Sequence, residues 1–220
     1  MPFSSVLGAS SVIKPGVCTS TTRPSVPYEG QLIYETDTDK VASYNGSAWV
    51  YTATSGLVYV TGASFSGVTS VSAPNNTFTS TYKNYRIMIE ISAMATAGEI
   101  TVRLRTSGSD NTTSNYGWFY GGRTSNNTAD QGGIAADTSF EYGYAHTTTT
   151  FGGTIDFIGP QTATRTTGFA TCIFWSGSVY AVYPLGWAFN GTTQFDSFTL
   201  ISSSSNSMTG TYRVYGYSDS

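Results

Sequence analysis

Charge is scarce in this chain. Only 10% of its 220 residues are Asp, Glu, Lys or Arg, against about 25% in an ordinary soluble domain. The net charge of −3 leaves no basic stripe, which removes the electrostatic footprint of a nucleic-acid binder. Histidine occurs once, at His146, and cysteine twice, at Cys18 and Cys172. That supplies no zinc ligand set and no CxxC pattern. The expectation is two free thiols, Cys172 in a buried strand, in a protein made in a reducing compartment. No apolar run approaches the roughly 18 residues of a membrane span, so no membrane insertion is expected. The first residues, MPFSSVLGASS, have neither the basic start nor the apolar core of a signal peptide.

What is present points to strands. Aromatics reach 15%, supplied mainly by 16 Tyr and 12 Phe, and Gly, Ser, Thr and Asn fill most of the rest. Few Lys and Glu with many Thr, Tyr, Val and Phe is a strand-and-turn profile. The fold class predicted is all-β: an antiparallel β-sandwich, jelly-roll-like or Greek key, preceded by an extended arm and a small three-stranded β-meander.

Residues 1–52 read as the arm and meander, and residues 53–220 as the sandwich. In the arm, Pro15, Pro24 and Pro27 disfavour helix and central strand. The meander runs Gly30–Thr36, Lys40–Tyr44 and Ser47–Tyr51, with turns at Asp37–Asp39 and at Asn45-Gly46, a dipeptide typical of type I′ hairpins. Such a meander is marginal alone in water, and Leu32, Ile33, Tyr34, Val41, Tyr44 and Trp49 have no evident core. That lack predicts a docking partner.

Beyond the Thr52–Gly56 break, period-two alternation dominates. Tyr85, Ile87, Ile89 and Ile91 share one face, as do Ile100, Val102 and Leu104; the two runs are expected to pair as a hairpin across Ser92–Gly98. Further strands are expected at Leu57–Thr61, Val68–Ser72, Tyr116–Tyr120, Phe140–Tyr144, Phe151–Ile158, Phe169–Trp175, Val179–Phe189, Phe195–Ile201 and Thr211–Tyr217. The polar tracts Ser107–Asn115 and Thr124–Asp137 read as long loops.

Catalytic constellations fail one by one. His146 has no nucleophile motif beside it. Asp37-Thr38-Asp39 begins like a calcium loop, but Val41 and Ala42 stand where a ligand and a glycine are needed, so these acids read as turn formers. A paired-carboxylate site could draw on Glu90, Glu99, Glu141 or Asp156, yet spacing singles out no pair. No catalytic residue, cofactor or metal is assigned. Trp118, Tyr120 and Trp187 are the candidates for stacking on a sugar ring; the alternative is that they anchor the core.

The run TTRPSVPYEGQLIYETDTDKVASYNGSAWV, Thr21 to Val50, resembles a recurring segment of tailed-bacteriophage virion proteins of the form RPxxPxxGQxIYETDTxxxxxxNGSAW. The match lies at Arg23, Pro24, Pro27, Gly30, Gln31, Ile33, Tyr34, Glu35, Thr36, Asp37, Asn45, Gly46 and Trp49. The closing GTYRVYGYSDS is similar to the last strand of proteins that carry this segment. The resemblance implies a structural virion protein, often homotrimeric, on the particle surface. It would be held through its N-terminal part to capsid or tail subunits and display a β domain outward.

The chain lacks the heptads and repeats of a long fibre shaft, which favours a decoration protein or short appendage. The attachment interface is assigned to Arg23, Pro24, Pro27, Leu32, Ile33, Tyr34, Tyr44 and Trp49. A tail-tip protein that recognises host surface polysaccharide is the alternative.

Overall fold

The computed structural model describes residues 15–51, 56–147, 150–175, 180–203 and 206–218. The first 14 residues of the expected arm, and the break at 52–55, lie outside them. The chain divides into two compact units, residues 1–54 with residue 220 and residues 55–219.

The first unit is one sheet of four strands: β1 (Gly16–Cys18), β2 (Leu32–Glu35), β3 (Lys40–Tyr44) and β4 (Trp49–Tyr51), in that order. The three-stranded meander is therefore corrected to four. The arm returns after Pro15 and adds β1 parallel to β2, with Thr36 N–H bonding the Cys18 carbonyl at 2.9 Å. A long crossover is what a parallel neighbour requires, and residues 19–31 provide it. Asn-Gly does not make a two-residue turn either. Tyr44 pairs with Trp49, and Asn45 caps a four-residue loop by accepting from the Ser47 and Ala48 amides at 3.0 and 2.8 Å. Only Gly46 takes the positive φ, at 92°.

The second unit is an antiparallel β-sandwich, and its described residues contain no helix. Its strands are β5 (Gly56–Val68), β6 (Ser70–Ser72), β7 (Asn84–Met94), β8 (Gly98–Thr106), β9 (Ser109–Asp110), β10 (Tyr116–Thr124), β11 (Ala129–Asp137) and β12 (Phe140–Ala145). They continue with β13 (Phe151–Ile158), β14 (Thr166–Trp175), β15 (Tyr180–Phe189), β16 (Ser197–Ser202) and β17 (Met208–Ser218). The larger sheet runs β11-β10-β15-β14-β13-β7-β17-β5, and the smaller β12-β8-β16-β6 with β9 on β8.

Alternation places the core as expected. Tyr85, Ile87, Ile89 and Ile91 point in from the large sheet, and Ile100, Val102 and Leu104 from the small one; all seven are buried. Rings close the gap between sheets. Phe140 stacks on Trp187 at 4.4 Å between centroids, Phe157 meets Phe198 at 6.1 Å, and Phe198 meets Tyr212 at 5.4 Å. Each such ring contributes about 1.5–3 kcal/mol by leaving water. Tyr116 ties its polar tip off: its hydroxyl accepts from Leu104 N–H and donates to the Asn111 carbonyl, both at 3.0 Å.

Three expectations change. The β7 and β8 runs do not form a hairpin: β7 pairs with β13 and β17, while β8 pairs with β12 and β16. Two apolar faces that must both meet the core are satisfied equally well from opposite sheets, and the link Ala95–Ala97 carries no tight-turn pair. The tract Thr124–Asp137 is largely strand β11, paired to β10. Its glycines read as loop but permit close approach to an aromatic strand: a Cβ at Gly132 would lie 2.8 Å from the Tyr120 ring. Short β9 likewise interrupts Ser107–Asn115.

Candidate functional sites

Two places carry concentrated chemistry: the small N-terminal sheet and a cleft in the sandwich. In the small sheet, pairing sorts the side chains into two faces. One face holds Ile33, Ala42, Glu35 and Tyr51, because Ile33 pairs with Ala42 and Ala42 with Tyr51. Ile33, Ala42 and Glu35 are buried. Arg23 reaches back from the arm and donates Nε to Glu35 Oε1 at 2.5 Å, and its Nη2 donates to the Tyr51 hydroxyl at 2.9 Å. The Tyr51 hydroxyl in turn donates a hydrogen bond to Glu35 Oε2 at 2.7 Å, and the Thr38 hydroxyl donates another at 3.1 Å.

Glu35 is thus hidden by a single layer of side chains that also satisfies it. The Arg23 hydrogen bond, with those from Tyr51 and Thr38, holds its carboxyl below the ordinary range despite the cost of desolvation. Nearby, Asp37 accepts from the Ser20 amide at 2.9 Å and from the Ser20 hydroxyl, and Asp39 accepts from Tyr34 at 2.7 Å. Asp37 also bonds its own backbone, as expected of a turn former, and the two acids additionally pin the arm and a strand tyrosine.

The other face is different. Val17 pairs with Tyr34 and Tyr34 with Val41; Leu32 pairs with Ser43 and Ser43 with Val50. Val17, Leu32, Val41 and Val50 are all exposed. One face of the sheet is a small buried cluster clamped by Arg23, and the opposite face exposes its apolar residues.

The eight residues assigned to attachment therefore part company. Leu32 and Tyr34 lie on the open face. Ile33 is corrected to internal core, and Arg23 to an internal clamp on Glu35. Tyr44 and Trp49 meet each other at 5.4 Å between rings, while Pro24 and Pro27 are half-buried in the crossover. Sequence reading missed Val17 and Val50, for which register was needed.

In the sandwich, the expected sugar-stacking residues lie side by side, Trp118 as the cross-strand neighbour of Trp187, but they differ in exposure. Trp187 is only 4% exposed and stacks inside the core; it is corrected to a structural anchor, because its strand position points inward. Trp118 also points inward and packs parallel to Tyr120. Tyr120 lines a cleft of about 300 Å³ with Glu99, Asp130, Glu141, Tyr142, Gly143, Tyr144, Tyr183 and Leu185. Glu99 and Glu141 thus come together, joined by Asp130, which sequence reading placed in a loop. Glu90 and Asp156 sit apart, on the outer face of the large sheet; Asp156 receives Arg86 in a two-pronged pair at 2.8 and 2.7 Å.

Burial, with the charges of Glu99, Asp130 and Asp137, pushes the Glu141 carboxyl up to about 7. Tyr183 donates its hydroxyl to Asp130. Cys172, buried in β14, has its thiol raised to about 12 by desolvation and by Glu141, and both cysteines are free. Among the described residues no group of His, Cys, Asp and Glu is placed to hold a metal ion. No family model, curated protein or solved structure matches this chain.

Proposed function

We propose that this is a non-enzymatic structural protein of a tailed-phage virion, attached to capsid or tail subunits by its N-terminal unit and displaying the sandwich on the particle surface. The observation that carries the reading is the open apolar face of the small sheet. A sheet of this size stabilises one face with its own arm and leaves Val17, Leu32, Val41 and Val50 in water. A contiguous exposed apolar patch is the mark of a protein interface, and apolar area buried against a particle adds about 25 cal/mol per Å² before the cost of association is subtracted. The resemblance at Arg23–Trp49 supplies the particle, the homotrimer and the preference for a decoration protein or short appendage. Copies held at several points at once would gain further by multivalency.

The test uses the full chain with Leu32→Asp and Val41→Asp together, mixed with undecorated particles. The substituted residues are exposed, so folding should persist while co-sedimentation with particles is lost. Undiminished co-sedimentation would refute the attachment surface. A second reading, a tail-tip protein that holds host surface polysaccharide, is favoured by the cleft at Tyr120, which joins aromatic walls to hydrogen-bonding acids.

A further inference from the structure

The smaller sheet is the shorter of the two across its strands, and its edge strand β12 lies over β14, β15 and β10. The end of the large sheet therefore extends past that edge, and the cleft opens beside β12. Its walls are built deliberately close. A Cβ at Gly122 would fall 2.8 Å from the Tyr183 ring, and one at Gly132 2.8 Å from the Tyr120 ring. The two rings meet at 4.9 Å. Glycine at both positions lets the rings lie against their neighbouring strands and keeps the space above them open.

The acids in this space are not balanced. The groups facing Glu141 are Glu99 from β8, Asp130 and Asp137 from β11, Tyr120 from β10, Tyr183 from β15, Cys172 from β14 and Tyr144 on its own strand. The next outward position on β8 after Glu99 and Thr101, Arg103, turns its Nε to the Thr138 carbonyl instead. Among the described residues the half-buried Glu141 carboxyl has no hydrogen-bond partner. A carboxylate withdrawn from water without a partner is costly, and such exceptions call for an explanation. The carboxylates are not gathered tightly enough to ligate a metal, and tyrosine faces are poor ligands for one. Ring faces with carboxylates around them are instead complementary to an organic cation, which gains from both cation–π attraction and charge-assisted hydrogen bonds.

We propose that this cleft binds an organic ammonium group, with Tyr120, Tyr144 and Tyr183 as its walls and Glu99, Asp130 and Glu141 as its counter-charge. The inference rests on the polysaccharide reading only for the idea that the cleft holds a ligand, and its failure can be told apart from the failure of that reading.

The experiment is calorimetric titration of the full chain with glucosamine, choline, N-acetylglucosamine and glucuronate, in the wild type and in Glu141→Gln. Glucosamine, choline or both should bind, and which of them binds distinguishes an amino sugar from a quaternary headgroup. For choline, whose charge does not titrate, affinity should rise at least about tenfold between pH 5.5 and pH 8 as Glu141 loses its proton, and Glu141→Gln should remove most of that rise; glucosamine is compared at pH 6, where its amine is still charged. Circular dichroism confirms that the variant is folded. Equal binding of N-acetylglucosamine would overturn the ammonium inference while leaving the polysaccharide reading in place. Unchanged binding in Glu141→Gln, preference for glucuronate, or no binding of either cation would overturn it outright.

Discussion

The two units solve the same problem in opposite ways. The sandwich has two sheets, so each buries its inner face against the other, and rings such as Phe140, Trp187, Phe157 and Phe198 fill the space between. Among the described residues the N-terminal sheet has no second sheet. It folds an arm over one face, builds a small core at Ile33 and Ala42, and fastens it with Arg23, Glu35 and Tyr51. The opposite face keeps its apolar residues exposed. The difference teaches where a core is supplied by a second sheet and where it is supplied by an arm. The sandwich buries the inner faces of both sheets while Phe119, Phe169 and Ile173 stay exposed on the outer face of the larger one, and the described small sheet buries one face and leaves the other exposed.

Substitutions should sharpen that contrast. The largest effect is expected from Trp187→Ala, which empties a stacked core position; a loss of about 3–5 kcal/mol in denaturant unfolding is the usual cost of such a truncation. Next comes Glu35→Gln, which breaks the clamp of the small sheet. The arm should loosen, read as faster proteolysis between Ser20 and Tyr28, with the melting of the sandwich unchanged.

The same carboxyl predicts a pH signature. Because the folded state holds Glu35 low, its stabilising contribution is present above the ordinary carboxylate range and is lost as pH falls through the folded value. NMR signals of Tyr51 and Trp49 should report acid loosening of the first unit, and Glu35→Gln should abolish it.

Glu141 works in the other direction. Its carboxyl is raised to about 7, so the folded state holds the proton more tightly than the unfolded chain does. Stability therefore falls as pH climbs from the ordinary carboxylate range to about 7, then levels off. Glu141→Gln lacks that cost and should melt higher at pH 8, by about 1 kcal/mol once solvent screening of a partly exposed group is allowed for. The smallest effect belongs to Phe169→Ser. Its ring stands 64% exposed on the outer face of the large sheet, and a change of no more than about 0.5 kcal/mol is expected.

Much of the architecture was legible in the sequence because alternation is a local signal. Ile87, Ile89 and Ile91, or Ile100, Val102 and Leu104, declare an inward face without reference to any partner. Partners themselves are not local. Nothing in β7 and β8 says that they belong to different sheets, and Gly132-Gly133 looks like loop until an aromatic neighbour needs the room.

The sites followed the same rule. Leu32 and Tyr34 were readable as candidates for an open face. Val17 joined them only through the parallel pairing of β1, and Ile33 leaves them because register puts it on the buried face with Ala42 and Glu35. Trp187 is a surface candidate by residue type and a core residue by register. Glu99 and Glu141 lie far apart in sequence and meet only because β12 pairs with β8. Asp130 was hidden inside a tract that composition marks as loop.

The central claim is that the open face of the small sheet is the attachment surface. Hydrogen exchange of the full chain, free and bound to undecorated particles, tests it most directly. Strong new protection over Leu32–Ser43 and Trp49–Tyr51, with the sandwich strands exchanging as in the free protein, is the predicted result. Protection confined to the sandwich, with Leu32–Tyr51 exchanging at the free rate, would contradict the account.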